Sequence, residues 1–380
     1  MRYLLAIVAV AGCGTAAHPP PPGAPQPAVT PPVAATTHAG CDGAVLPGPT
    51  ELARDARGPR PVGVRTVELD GMTTEVWYPA APGSDAGAPA VRYDPREQLA
   101  PADAAKIPDA DNAWLPCDCA RDLPVDDALG PLPVVVFFHG AASFRSQSVT
   151  LATHWASRGY VVIAPDLPGV GLRSILGGSM EFPFDVPAGV VATVTEARAV
   201  DPLAFVRPHL GRRLVLAGHS LGAVLTSTAA EQPVVAGVIM LAGALGLALD
   251  KPALAMNGDR DGIVAYAPRR AAAAEDTAPA HRFIGVRGAG HLAFTDLCGL
   301  GADRGGALAI AAAHGLSVPP FVQTAGRDGC GADAAPIADT TPRILAATTA
   351  FLDETLACGD ATATWQALAA DPQLDVVGAR

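Results

Sequence analysis

Basic residues are scarce and scattered. Lys and Arg total 26 against 37 Asp and Glu, for a formal charge of -11 and a pI near 5.2. No Lys/Arg cluster occurs, which excludes nucleic acid or an anionic bilayer as an electrostatic partner, since both attract basic patches. The usual Cys-x-x-Cys metal spacing is missing as well: Cys117-Asp118-Cys119 is too tight and has no nearby His. The cysteines therefore read as disulfide partners, with no metal or organic cofactor implied. A membrane-spanning run is not offered by the N-terminus, where the apolar stretch Leu4 to Val10 is too short to cross a bilayer.

That stretch, preceded by Arg2, suits a signal peptide over residues 1–12. Val10-Ala11-Gly12-Cys13 resembles a bacterial lipobox, which would lipidate Cys13 after cleavage and hold the chain on a membrane by its acyl chains. Residues 13–40 carry Pro19 to Pro22, Pro25, Pro27, Pro31 and Pro32, a composition that favours extended geometry and reads as a tether. The expectation is an exported, membrane-anchored protein, periplasmic or at the cell surface. Residues 41–380, in a chain with 49% hydrophobic side chains, can bury one large core and read as one folded, monomeric domain. Of its six cysteines, Cys298 and Cys330 are the expected disulfide. The doublet is expected to staple the Pro- and Asp-rich stretch 79–131, and the pairing of Cys41, Cys117, Cys119 and Cys358 stays open.

Val64 to Leu69 and Met72 to Tyr78 alternate about Asp70-Gly71, which predicts an antiparallel hairpin. Pro133 to Phe138 and Tyr160 to Ala164 are continuous apolar runs, as in parallel strands buried on both faces, with a helix between them over about 148–157. A helical segment over 190–206, broken at Pro202, leads to Leu214-Val215-Leu216-Ala217. Strands over 234–242, 252–257 and 281–286 follow with helices between, and the last predicted helix covers 342–356. The tail after Gly359 is weakly helical. The alternation predicts a mostly parallel doubly wound α/β sheet, with ligands at the strand C-termini.

Gly218-His219-Ser220-Leu221-Gly222 follows one such strand and precedes a helix. With 40 Gly and about ten Ser, Gly-x-Ser-x-Gly arises by chance on the order of 0.1 times in this length, so context must decide. Asp261 follows the strand 252–257 and His291 the strand 281–286, in the order Ser, Asp, His. A serine hydroxyl is a poor nucleophile at its free pKa, so it needs His291 as base and a carboxylate to orient the imidazole. Asp261 is preferred for the acid, with Asp259 and Asp250 as rivals. After the strand 133–138, His139-Gly140-Ala141 can aim a backbone N–H at a developing oxyanion, so the hole is assigned to the amides of Ala141 and Leu221. His139 is then structural, His154, His219 and His281 are structural or surface residues, and Asp166 is a turn residue.

Gly63 to Val67, Val76 to Pro79, Phe138-His139-Gly140, Ser157 to Val162 and the elbow stand in an order that resembles one group of α/β-hydrolases. It contains predicted dienelactone hydrolases, platelet-activating-factor acetylhydrolase, chlorophyllases and cutinase-like polyester hydrolases, and the likeness runs from about residue 58 to 358. The resemblance implies the α/β-hydrolase fold and cleavage of a carboxylic ester or lactone through an acyl-enzyme on Ser220, with Asp261 and His291 at matching positions. Departures narrow it. Ser220 replaces the cysteine of true dienelactone hydrolase, and Ala141 stands where cutinase-like enzymes usually carry an aromatic. Other readings are a silent binding lipoprotein, which usually loses a triad residue or the elbow, and a peptide or thioester hydrolase using the same triad. The extra segment 299–340, whose Ala-rich stretch Gly305 to His314 is bracketed by Cys298 and Cys330, is expected to wall the pocket or to be a surface excursion.

Overall fold

The computed structural model describes residues 37–39, 45–47, 53–196, 198–243 and 249–378. The leader 1–12, Cys13, most of the tether and Cys41 lie outside the described residues. Thr37–Ala39, within the stretch read as tether, pairs antiparallel with Val45–Pro47.

Ten strands form the central sheet: β1 Val62–Leu69, β2 Met72–Pro79, β3 Ala120–Arg121, β4 Leu132–Phe138, β5 Val161–Pro165, β6 Leu210–His219, β7 Val235–Leu241, β8 Ala253–Gly258, β9 His281–Val286 and β10 Leu374–Val377. Their spatial order is β10-β9-β8-β7-β6-β4-β5-β2-β1-β3. Strands from β5 to β9 run parallel to one another, and β10 and β2 pair antiparallel at either side. The predicted hairpin is present: Asp70 (φ 52°) and Gly71 (φ 78°) take the paired positive angles that match the twist of the β1–β2 ribbon.

Helices cover both faces. Alternation along β4 sends Val135 and Phe137 to one side, with Trp155 of α1 (Val149–Ser157) and Phe351 and Leu352 of α7 (Ile337–Ala357). Val134, Val136 and Phe138 go to the other, with Val190 and Val191 of α2 (Val186–Thr195) and Leu225 of α3 (Leu221–Ala229). Further helices are α4 (Tyr266–Glu275), α5 (Ala307–Ala313), α6 (Pro320–Ala325) and α8 (Thr362–Ala370), with single helical turns at Pro101–Ala104 and Leu172–Leu176. Among the described residues no helix is long and apolar enough to cross a membrane.

Three expectations change. Helix α2 begins at Val186 and stops at Thr195 instead of spanning 190–206, because Pro187 is tolerated in a first turn while Thr193 and Thr195 are weak helix formers. Helix α7 starts at Ile337, with Pro342 inside it, and α8 follows it as the last helix. The tail also supplies β10, whose Leu374–Val377 pairs with Phe283–Val286. Residues 244–248, between β7 and β8, lie outside the described residues.

Asp353 of α7 is a buried junction: Arg54 Nε donates to its Oδ2 and Tyr160 Oη to its Oδ1, each at 2.8 Å. Removing one side of a buried charge pair leaves the other without compensation. Asp353→Ala is expected to lower stability by about 3–5 kcal/mol, read from the midpoint of urea unfolding.

Candidate active site

Strand β6 ends at His219 and helix α3 begins at Leu221, so Ser220 alone makes the turn, at φ 54° and ψ -119°. A non-glycine residue there carries strain of about 1–3 kcal/mol, sustained only when the surroundings over-determine it. The neighbours do so. A Cβ on Gly218 would lie 2.3 Å from the backbone of Gly222, and one on Gly222 would lie 2.0 Å from the carbonyl oxygen of Phe138. Both positions therefore bring strand, helix and the end of β4 into contact, with Ser220 N donating to Leu241 O at 2.8 Å.

His291, in the loop after β9, meets Ser220 from one side and Asp261 from the other. Its Nε2 lies 2.9 Å from Ser220 Oγ and its Nδ1 2.9 Å from Asp261 Oδ2. Asp261 Oδ1 is filled by the amides of Ile263 (2.8 Å) and Val264 (2.7 Å), which fixes the carboxylate against β8. With Nδ1–H donated to Asp261, the Nε2 lone pair faces the serine hydroxyl, the arrangement a general base requires. His291 and Asp261 are buried and Ser220 is partly open to solvent. The rival carboxylates sit elsewhere: Asp250 is exposed, and Asp259 accepts from Gly288 N at 2.6 Å.

The turn after β4 abuts the serine, since a Cβ on Gly140 would come within 3.2 Å of Ser220 Cβ. Gly140 N donates to Gln147 Oε1 and Ala142 N to Val170 O, both at 2.8 Å. Between these fixed points, the Ala141 amide donates to no protein acceptor among the described residues. Leu221 supplies the first amide of α3, where no helical carbonyl lies upstream to take it. His139 locks the same turn: Leu167 N donates to its Nε2 at 2.8 Å, so Nδ1 carries the proton and donates to Gly140 O at 2.8 Å. Gln147 has no motif that would mark it in the sequence, because its partner is set only by the fold.

His219 is likewise neutral. Its Nε2 donates to His291 O at 2.9 Å, its ring packs 4.8 Å from that of His291, and burial brings its pKa down to about 3. It holds the base loop without competing for protons. His154 is buried beside Thr349 with its pKa also brought down to about 3 by burial, and His281 bridges Asp276 and Lys251 O. Asp166 does more than turn the chain: it accepts from both the backbone and the guanidinium of Arg145, each at 2.6 Å. Cys298 and Cys330 form the expected disulfide. Cys117 and Cys119 bond to each other, which closes a local ring and staples no distant part of the loop. Among the described residues no cluster of His, Cys, Asp or Glu could hold a metal ion.

The buried histidines have a consequence for acid stability. Unfolding releases His154 and His219 to an ordinary pKa near 6.5, so below that pH the unfolded chain binds protons the folded chain refuses until about pH 3. Stability is expected to fall as pH drops below about 6.5, by up to about 1.4 kcal/mol per pH unit for each histidine. Melting temperatures at pH 7.5, 6, 5 and 4 measure it, and a His154→Leu variant should show a shallower decline.

These elements compose an α/β-hydrolase fold, with a mostly parallel sheet and an antiparallel pair toward its N-terminal side. Residues 135–287 match the family model described as the alpha/beta hydrolase family. A ferulic acid esterase from Streptomyces cinnamoneus superposes with a TM-score of 0.58 at 20% identity, over 84% of this chain and 98% of that one. In sequence, phospholipase YtpA of Bacillus subtilis (strain 168) is 30% identical over 120 residues. That match takes in 31% of this chain and spans 42% of the relative's length.

Proposed function

We propose that the chain is a serine hydrolase that cleaves a carboxylic ester or lactone through an acyl-enzyme. The observation that carries this reading is the continuous hydrogen-bonded line from Asp261 through His291 to Ser220, with the serine held on a strained turn. Ser220 Oγ attacks the ester carbonyl as His291 Nε2 takes its proton, and Asp261 stabilises the imidazolium. The amides of Ala141 and Leu221 receive the negative charge on the carbonyl oxygen, each contributing about 3–4 kcal/mol to the transition state. Collapse expels the alcohol, protonated by His291. Water, activated by the same imidazole, then releases the acid and restores Ser220. The named esterase and phospholipase are both proteins of ester chemistry, which supports the class without naming a substrate.

The N-terminal sequence adds where this chemistry would operate. Cleavage before Cys13 and its lipidation would leave residues 13–40 as a tether and residues 41–380 as an exported hydrolase domain held near a membrane. Metabolic labelling with a fatty-acid analogue, in the wild type and in Cys13→Ser, tests the anchor.

A panel of p-nitrophenyl esters of graded acyl length tests the reaction. The expected result is turnover of at least one ester and, on rapid acid quench, a peptide containing Ser220 heavier by the acyl group. Absence of turnover across the panel, or acylation at another residue, overturns the reading.

A further inference from the structure

The inserted segment after His291 reaches back onto both loops that carry the acid and the base. Asp328 is the point of contact. Its Oδ1 accepts the backbone N–H of His291 at 2.5 Å, and its Oδ2 accepts the N–H of Gly262, the residue after Asp261, at 2.9 Å. Its own carbonyl accepts from Leu292 N at 3.0 Å. Further along the segment, Arg260 donates to Asp333 O, and Ala335 N donates to Gly288 O at 2.8 Å. The packing is tight, since a Cβ on Gly290 would stand 2.5 Å from the backbone of Gly329. Two residues after Asp328, Cys330 is bonded to Cys298, seven positions beyond His291, so the segment is fastened to the same stretch of chain it braces.

We infer that Asp328 is a positioning residue: one carboxylate bridges the acid loop and the base loop and fixes the spacing across which His291 Nδ1 meets Asp261 Oδ2. The inference rests on the proposed serine-hydrolase chemistry for its effect on rate, though not for its effect on geometry. The two loops are already joined ahead of the acid and the base, by Arg260 N to Ala289 O at 3.0 Å and Gly288 N to Asp259 Oδ1 at 2.6 Å, but Asp261 and His291 themselves meet through the hydrogen bond between carboxylate and imidazole, which could open by rotation of either side chain. A third group bound to the backbone of both removes that freedom. Alanine at 328 leaves two amides without their acceptor. Asparagine offers one carbonyl oxygen where the carboxylate offers two, and turns an N–H toward the other amide.

The test compares wild type with Asp328→Asn and Asp328→Ala by two readouts. The first is the second-order rate at which a fluorophosphonate labels Ser220, which needs an aligned serine and base and no knowledge of the substrate. Misplacement of about 1 Å in such a pair is worth on the order of 100-fold, so labelling is expected to fall about 10- to 100-fold in Asp328→Ala and by less in Asp328→Asn. The second is the proton resonance of His291 Nδ1–H in the histidine-labelled protein at a temperature well below the melting transition. It is expected to be sharp in wild type and lost to exchange in Asp328→Ala while the melting temperature shows the fold intact. Wild-type labelling rates in both variants, or an unchanged resonance in Asp328→Ala, overturn the inference. Should wild type fail to label at Ser220 while the resonance still depends on Asp328, the positioning role stands and the serine-hydrolase reading falls.

Discussion

Ser220→Ala is expected to lower kcat toward the best ester of the panel by about 10⁶-fold, the scale at which removal of a serine nucleophile leaves only binding and oxyanion stabilisation. Little else should change. The substitution deletes one oxygen, hydrogen-bonded to His291 Nε2, and it leaves the backbone turn, Ser220 N to Leu241 O, and the acid–base pair in place. The melting temperature should therefore stay close to wild type. No neighbouring group can stand in: His139 and His219 are neutral and committed to carbonyl groups of the adjacent loops. The measurement is the initial rate at saturating ester, paired with fluorophosphonate labelling, which should vanish. A variant that keeps activity within 100-fold would move the nucleophile away from the elbow.

Asp261→Asn is expected to cost about 10⁴-fold in kcat with the fold unchanged. The reason lies in the two amides on Oδ1. Ile263 N and Val264 N require an acceptor there, so the asparagine carbonyl oxygen must face them and its NH₂ must face His291 Nδ1. Nδ1 then has to accept, the proton moves to Nε2, and the lone pair that would take the proton of Ser220 is gone. The rival carboxylates provide the contrast. Asp250→Asn, at an exposed position, should leave kcat unchanged, and Asp259→Asn should change it only a few-fold through Gly288. Rates for the three variants on one ester, with KM determined separately, decide between the acids. Comparable losses in Asp261→Asn and Asp259→Asn would undo the assignment.

What the sequence displayed was periodic or local. Continuous apolar runs marked β4, β5 and β7 because strands covered on both faces admit no polar residue, and Asp70-Gly71 marked the hairpin because few residue pairs tolerate its angles. Ser220, Asp261 and His291 stood out through their places after strands, and the fold brings all three together. What stayed hidden depends on partners far away in the chain. Gln147 fixes the Gly140 turn and Asp328 spans two loops, yet neither sits in a pattern that differs from an ordinary polar loop residue. The ends of α2 and α7 shifted for a related reason: propensity near Pro and Thr is weak, and packing against the sheet set the boundaries. Strand β10 has only four residues, and its pairing with β9 crosses the whole of α7 and α8.

That late strand sets a condition on how the sheet is completed. Leu374–Val377 follows every other strand in the sequence, so as the chain emerges from a ribosome, β9 waits with its outer row of N–H and C=O groups open. An open edge of this kind is a template for another chain, and Phe283, Ile284 and Val286 make it an apolar one. Shortening the chain to Gln373, which removes β10 and keeps the buried Trp365 and Leu368 of α8 and the acid, base and serine loops, would make that exposure permanent. The product would be a protein with its chemistry intact and its solubility lost to edge-to-edge association.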